Sequence, residues 1–220
     1  MKKITIISLA LLIFSKSSFS QQVNWRSFKE EQRHIINVNM ALDYGTNIGF
    51  GYGYKLKTKI PLIANLEYSF PAGEKIFDDF KTKFGGQAEI LKLGNFSTTL
   101  RIYGIFRRFE NESARFLNFG SEFSTAFGYY KPKWYVAGEL GFDKAITTNV
   151  KHSKWAHENY PEIQDGWYIP TGGNFSYGIQ SGISLNNNDL YLKLGKLITQ
   201  DFKTTPFVPY YLQIGYNRRL

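Results

Sequence analysis

The chain has no cysteine among its 220 residues. That absence excludes a disulfide scaffold, a thiolate metal site, a cysteine nucleophile and a lipoprotein anchor on an N-terminal cysteine. Also missing is any apolar run of the roughly 20 residues that a membrane-crossing helix needs, so a helical membrane protein is excluded. A third absence is a concentrated basic surface. The formal charge is +9, yet the lysines and arginines are dispersed, with no basic helix and no aromatic-basic platform, which sets nucleic-acid binding aside. What the chain holds in quantity is aromatic rings, with 15 Tyr, 19 Phe and 4 Trp, and 20 glycines. Its length is one domain's worth.

Residues 1–20 have the pattern of an export signal. Lys2 and Lys3 are followed by the apolar stretch Ile4–Phe14, then by small polar residues ending Ser18-Phe19-Ser20 before Gln21. A charged start, a short apolar stretch and a small-x-small site predict cleavage after Ser20. Cleavage would remove Lys2, Lys3 and Lys16 and bring the +9 down to +6. Residues 21–33 then form a periplasmic lead-in, in which Ser27-Phe28-Lys29-Glu30 reads as a capping box opening a short helix.

From His34 to the C-terminus the sequence has period two, the signature of strands whose side chains point alternately to opposite faces. Ile36, Val38, Met40 and Leu42 alternate with Asn37, Asn39 and Ala41; Ile48, Phe50, Tyr52 and Tyr54 with Gly49, Gly51 and Gly53. The pattern recurs through ten segments, weakest near 83–93 and 190–196, where eight strands is the alternative count. Most segments approach the 9–11 residues that cross a bilayer obliquely. Connections alternate in length. Lys57–Pro61, Gly94-Asn95, Tyr130–Lys133 and Asn186–Asp189 are tight, whereas Pro71–Phe80, Arg108–Ala114, Lys144–Gly173 and Leu197–Val208 are longer and polar. Short turns on one rim and long loops on the other predict a closed, up-and-down transmembrane β-barrel.

A water-soluble barrel also alternates, with its apolar row inward. Two features favour the opposite arrangement. The non-apolar row is dominated by Gly, Ser, Ala, Asn and Gln, which suits a crowded interior. The apolar row carries rings near both strand ends, Tyr44, Phe70, Phe106 and Phe142 on one rim and Tyr54, Phe96, Tyr129 and Trp134 on the other, as the aromatic girdles of a membrane barrel require.

On these residues the chain resembles the small outer-membrane β-barrel proteins of Gram-negative bacteria, from about His34 to Leu220. The resemblance extends to the last strand, where Gln213, Gly215 and Leu220 match the spacing of the C-terminal signal read by the barrel-insertion machinery. Arg218 and a final Leu in place of an aromatic depart from that pattern. The resemblance implies outer-membrane residence, contact with lipid and lipopolysaccharide, and either a free-standing role or a place in an envelope complex.

Two candidate sites follow. The interior row holds Asp43, Glu67, Glu89, Glu122 and Glu139 against Lys55, Arg101, Arg107 and Lys193. In a narrow lumen such charges are expected to pair across the barrel, plugging it, or alternatively lining a narrow path for ions or small solutes. The loop Lys144–Gly173 carries His152, Trp155, His157, Trp167 and Tyr168, a mixture suited to binding. An enzyme is the third alternative. Omptin proteases are ten-stranded barrels with rim acids and an Asp–His dyad, and Asp78-Asp79 with His152 and His157 is similar in kind. The acids here are adjacent rather than alternating, and no Asp-x-His occurs. No catalytic set, cofactor or metal site can be assembled from motifs. Two histidines five apart on a polar loop are expected to be solvated.

Overall fold

The computed structural model describes residues 21–42, 45–73, 77–170, 172–203 and 208–220. Eleven strands account for most of them: β1 (His34–Leu42), β2 (Thr46–Lys55), β3 (Leu62–Pro71), β4 (Asp79–Leu93), β5 (Phe96–Glu110), β6 (Ala114–Lys131), β7 (Trp134–His152), β8 (Gly166–Tyr168), β9 (Gly173–Leu185), β10 (Asn188–Thr199) and β11 (Tyr210–Arg219). One helix, α1 (Lys154–Asn159), lies between β7 and β8. Every pairing is antiparallel. Neighbours in sequence pair from β1 through β7; β7 then pairs with β9, β9 with β10, β10 with β11, and β11 returns to β1. The ring of ten is closed. β8 stands outside it, paired with Thr148–Val150 of β7 above the stretch that β9 occupies.

The alternation sets which face each residue takes. Asn37, Asn65, Gln87, Arg101, Glu139, Gln180, Lys193 and Gln213 are buried in the interior. Val38, Leu66, Phe84, Ile102, Phe123, Leu140, Ile179, Leu192 and Ile214, their counterparts on the other face, are exposed. Polar groups inside and apolar groups outside reverse the arrangement of a water-soluble barrel. Rings join laterally across the outer face. Phe50, Phe70, Tyr68, Phe80, Phe106, Phe119 and Trp167 touch in succession near one rim. Phe127, Phe96, Tyr129 and Trp134 do so near the other.

The wall is uneven in height. β1, β2, β3 and β11 have 9 or 10 residues, whereas β6 and β7 have 18 and 19. At about 3.3 Å per residue, the tall side rises some 25–30 Å further along the strand than the short side. That growth corrects the expected loop boundaries. Lys144–His152 of the expected long loop belongs to β7, and the Arg108–Ala114 loop shrinks to 111–113. Backbone pairing there continues after the apolar alternation has faded, because Thr147–Lys151 stands where neither face is apolar. The weak alternation near 83–93 also has a physical cause. The register shifts between Glu89 and Leu91, so one residue is extra and both Ile90 and Leu91 turn outward.

Both ends of the barrel wall lie on the short-turn rim. Arg33 and His34 donate their backbone N–H groups to the carbonyl of Leu220. The residues before β1 do not trail away from that rim. Ser27 closes a single 3₁₀ turn, Trp25–Ser27, capped by the Asn24 side chain, rather than opening a helix as its capping-box pattern suggests. Gln21, Gln22, Val23, Asn24 and Trp25 are all buried inside the ring.

Candidate functional site

Three groups of residues are buried inside the ring. The first is tyrosine. Tyr191 and Tyr211 arch inward over strand positions that only glycine can occupy. A Cβ on Gly215 would lie 2.2 Å from Tyr191 Cζ, and one on Gly195 would lie 2.4 Å from the Tyr211 hydroxyl. Tyr130 and Tyr135 stack with ring centres 5.1 Å apart. Gly215 thus has a packing role in addition to its place in the expected insertion signal. Gln213, in the same signal, is buried and donates to the Tyr191 hydroxyl, while Leu220 is exposed.

The second group is paired charge. Lys83 Nζ lies 2.7 Å from Glu122, and Arg101 lies 3.1 Å from Glu139, whose other oxygen meets Lys193 Nζ and the Tyr211 hydroxyl. Arg107 pairs with Asp79 at 3.3 Å, and Arg219 with Asp189 at 3.2 Å. Of the nine interior residues expected, Glu67, Glu89, Arg101, Arg107, Glu122, Glu139 and Lys193 are buried and bonded inside. Lys55 sits at the short-turn rim with its Nζ 4.9 Å from the Phe28 ring centre. Asp43 lies outside the described residues. Sequence reasoning read Asp79 as a rim acid and did not name Lys83, Asp189 or Arg219 as interior. Their inward parity was available by extending the alternation of β4, β10 and β11 to the strand ends.

The third group is the N-terminal segment, whose partners lie on most of the wall. Gln21 N–H donates to Glu67 Oε1 at 2.9 Å, its side-chain carbonyl accepts from Asn65 at 2.6 Å, and its backbone carbonyl accepts from Gln87. Gln22 Oε1 accepts from Arg101 at 2.6 Å, and its carbonyl accepts from Asn217. Asn24 donates to Ser184 and to the Lys131 carbonyl, and Trp25 Nε1 donates to Thr99 at 2.8 Å. Arg26 pairs with Glu89 at 2.6 Å and also donates to Ser97, while Arg219 donates to the Ser27 carbonyl. At the mouth, Val23, Trp25 and Phe28 pack with Ile35 and Ile63, an apolar seal beneath which the polar contacts are shielded from water.

The long-loop rim carries a second constellation. His152 ends β7, His157 lies on α1, and Asp165 immediately precedes β8. His152 Nδ1 is 2.8 Å from Asp165 Oδ1, and His157 Nε2 is 3.4 Å from the same oxygen. The backbone N–H of His152 also donates to Asp165 Oδ1 at 2.8 Å. That N–H and then the imidazole of His152 hold the Asp165 carboxyl below its usual range. The scaffold under the trio is fixed by backbone bonds. Ser153 caps α1 through Ala156 N–H and donates its own N–H to the Ser113 carbonyl. Of the other loop residues expected, Trp155, Trp167 and Tyr168 are exposed, and Trp167 packs on Phe119. Asp79 is buried against Arg107, whereas the ion pairs of His152 and His157 go to a different carboxylate. Asp165 is instead the acid that His152 and His157 share.

No protein-family model matches the chain, and no curated protein does. Solved structures do. An outer-membrane channel from Pseudomonas putida F1 is similar over 91% of this chain and 100% of its own, with 10% identity and a TM-score of 0.54. The KdgM porin in complex with disordered oligogalacturonate covers 84% of this chain and 98% of its own, with 8% identity and a TM-score of 0.42. These likenesses are ones of fold, and of the two the channel is the one similar enough to support the barrel architecture independently.

Proposed function

We propose that the chain is an outer-membrane β-barrel whose lumen is closed by its own N-terminal segment and whose long-loop rim faces outward as a binding surface. The membrane part of this reading is supported by the exposed apolar face, which runs around the whole ring between two bands of aromatic contacts. The closure rests on one observation: Gln21–Ser27 is bonded inside the ring to β3, β4, β5, β9 and β11. In this reading lipid and lipopolysaccharide cover the apolar belt, and Gln213, Gly215 and Leu220 present the last strand to the insertion machinery. The short-turn rim is periplasmic, as expected for a chain exported by a signal cleaved after Ser20.

Among the described residues the segment is tied by hydrogen bonds and one ion pair, Arg26–Glu89, so a second reading follows from the same contacts. The Pseudomonas putida protein of similar fold is described as an outer-membrane channel, and a conducting form of this chain requires the segment to leave. Planar-bilayer recording separates the two. The full-length mature barrel is expected to be silent under applied voltage, and a chain lacking residues 21–28 to conduct in steps. Steps of equal size from both would show that the segment closes nothing.

A further inference from the structure

We propose that His152, His157 and Asp165 form a binding site for a late first-row divalent transition ion, with zinc the best match, on the long-loop rim. The site is independent of how the lumen behaves. One imidazole nitrogen from each histidine and one carboxylate oxygen lie within 4.8 Å of one another. A tetrahedral zinc centre places its nitrogen and oxygen ligands roughly 3.3 Å apart. The two pairs that share Asp165 Oδ1 are already at 2.8 and 3.4 Å. Closure of the trio therefore needs shifts of no more than about 1.5 Å.

The three ligands come from three elements that are each held by the backbone. β7 brings His152 to its end opposite Ala114 of β6; the capped turn of α1 returns His157 over it; and the Val150–Gly166 pairing of β7 with β8 delivers Asp165. The backbone N–H of His152 grips the same carboxylate oxygen, an outer contact of the kind that orients metal-ligating carboxylates. Donor chemistry narrows the ion. Two imidazoles and one carboxylate suit zinc and its neighbours in the first transition row, whereas calcium and magnesium prefer oxygen alone. His152 Nδ1 lies within hydrogen-bond distance of Asp165 Oδ1, and coordination requires that nitrogen to be unprotonated.

Three protein ligands leave a fourth position for an exchangeable group. His157 and Asp165 are exposed, with His157 43% accessible. The ion is thus reachable from outside, and its remaining ligand comes from water or from a molecule arriving at this rim.

The test is zinc titration by calorimetry on the full-length barrel in detergent, purified without a polyhistidine tag. One equivalent is expected to bind. His157→Ala and Asp165→Asn should each weaken binding at least about tenfold, while His34→Ala, at the opposite rim, should leave it unchanged. Cobalt substituted for zinc should give the intense visible bands of a tetrahedral centre, and His157→Ala should abolish them. Heat-modifiable mobility on gels verifies that each variant is folded. Absence of both heat and cobalt bands in the native chain, or equal affinity in the native chain, His157→Ala and Asp165→Asn, would overturn the site. Neither outcome bears on whether the barrel conducts, so the two readings fail separately.

Discussion

Arg101→Met puts the interior network to a quantitative test. The guanidinium is 1% exposed and donates to Glu139 at 3.1 Å, to Gln22 at 2.6 Å and to Gln180 at 3.2 Å. Removing one partner of a buried ion pair costs about 3–5 kcal/mol, because the other charge stays buried. Glu139 keeps Lys193 and the Tyr211 hydroxyl, which pulls the estimate to the low end. The lost contact to Gln22, a hydrogen bond to a charged group, adds back about 1.5 kcal/mol or more. A loss of about 4–5 kcal/mol is therefore expected. The control is Arg108→Met, which removes an ion pair to Glu110 at 2.5 Å whose side chains are 30% and 40% exposed; it should cost about 0–1 kcal/mol. The shorter bond should matter less, because water surrounds it. Equilibrium urea unfolding in lipid vesicles, followed by tryptophan fluorescence, measures both. Repeating it without residues 21–28 closes a cycle whose coupling isolates the bond to Gln22. If Arg101→Met costs no more than Arg108→Met, the lumen does not hold its charges out of water and the network reasoning fails.

Other expectations are more local. Leu140→Arg places a charge on the outward face, 63% exposed and mid-strand, and should cost about 2–4 kcal/mol in vesicles; no cost would mean that this face does not meet hydrocarbon. Gly215→Ala drives a methyl into the Tyr191 ring and should destabilise by about 1–3 kcal/mol, with Tyr191→Phe unable to relieve it because ring carbons remain in contact. Trp25→Phe keeps the apolar seal but loses the bond to Thr99, which should cost about 1 kcal/mol without raising conductance. The carboxyl of Asp165 is held below its ordinary value chiefly by the His152 N–H. Its bonds should therefore persist as pH falls through the ordinary range near about 3.9 and break only below it. The His152 amide resonance reports this directly, and an inflection at or above the ordinary value would refute the assignment.

What the sequence revealed, and what it hid, divides along the range of the interactions. Period two makes facing legible, because each residue's side of the wall follows from its neighbour's; ten strands and the inward Arg101, Glu122 and Glu139 follow from that alone. Where a bulge shifts the register at Glu89, the pattern blurs. The lumenal segment carries no period, and its partners on the wall stand 44 to 196 residues away, so nothing local marks Gln21 or Trp25 as interior. Asp165 is visible as an ionisable residue of the long loop, but its pairing with the histidines is hidden for a related reason. It lies 13 residues from His152, and only the pairing of β8 on the outside of the ring carries it back to the histidines.

The seam of the ring joins β1 to β11, and across it Asn37 meets Asn217, 180 residues further along the chain. Asn217 also bonds Gln21 and Gln22, so β11 grips the interior segment as well as closing the ring. Pairing over such a separation is slow, since the loop entropy is spent before the contacts form. Until β11 is in place, residues 21–27 lack the Asn217 and Arg219 contacts that hold them in the interior. Closing the wall and anchoring the segment thus draw on the same strand, and whatever delays β11 delays both.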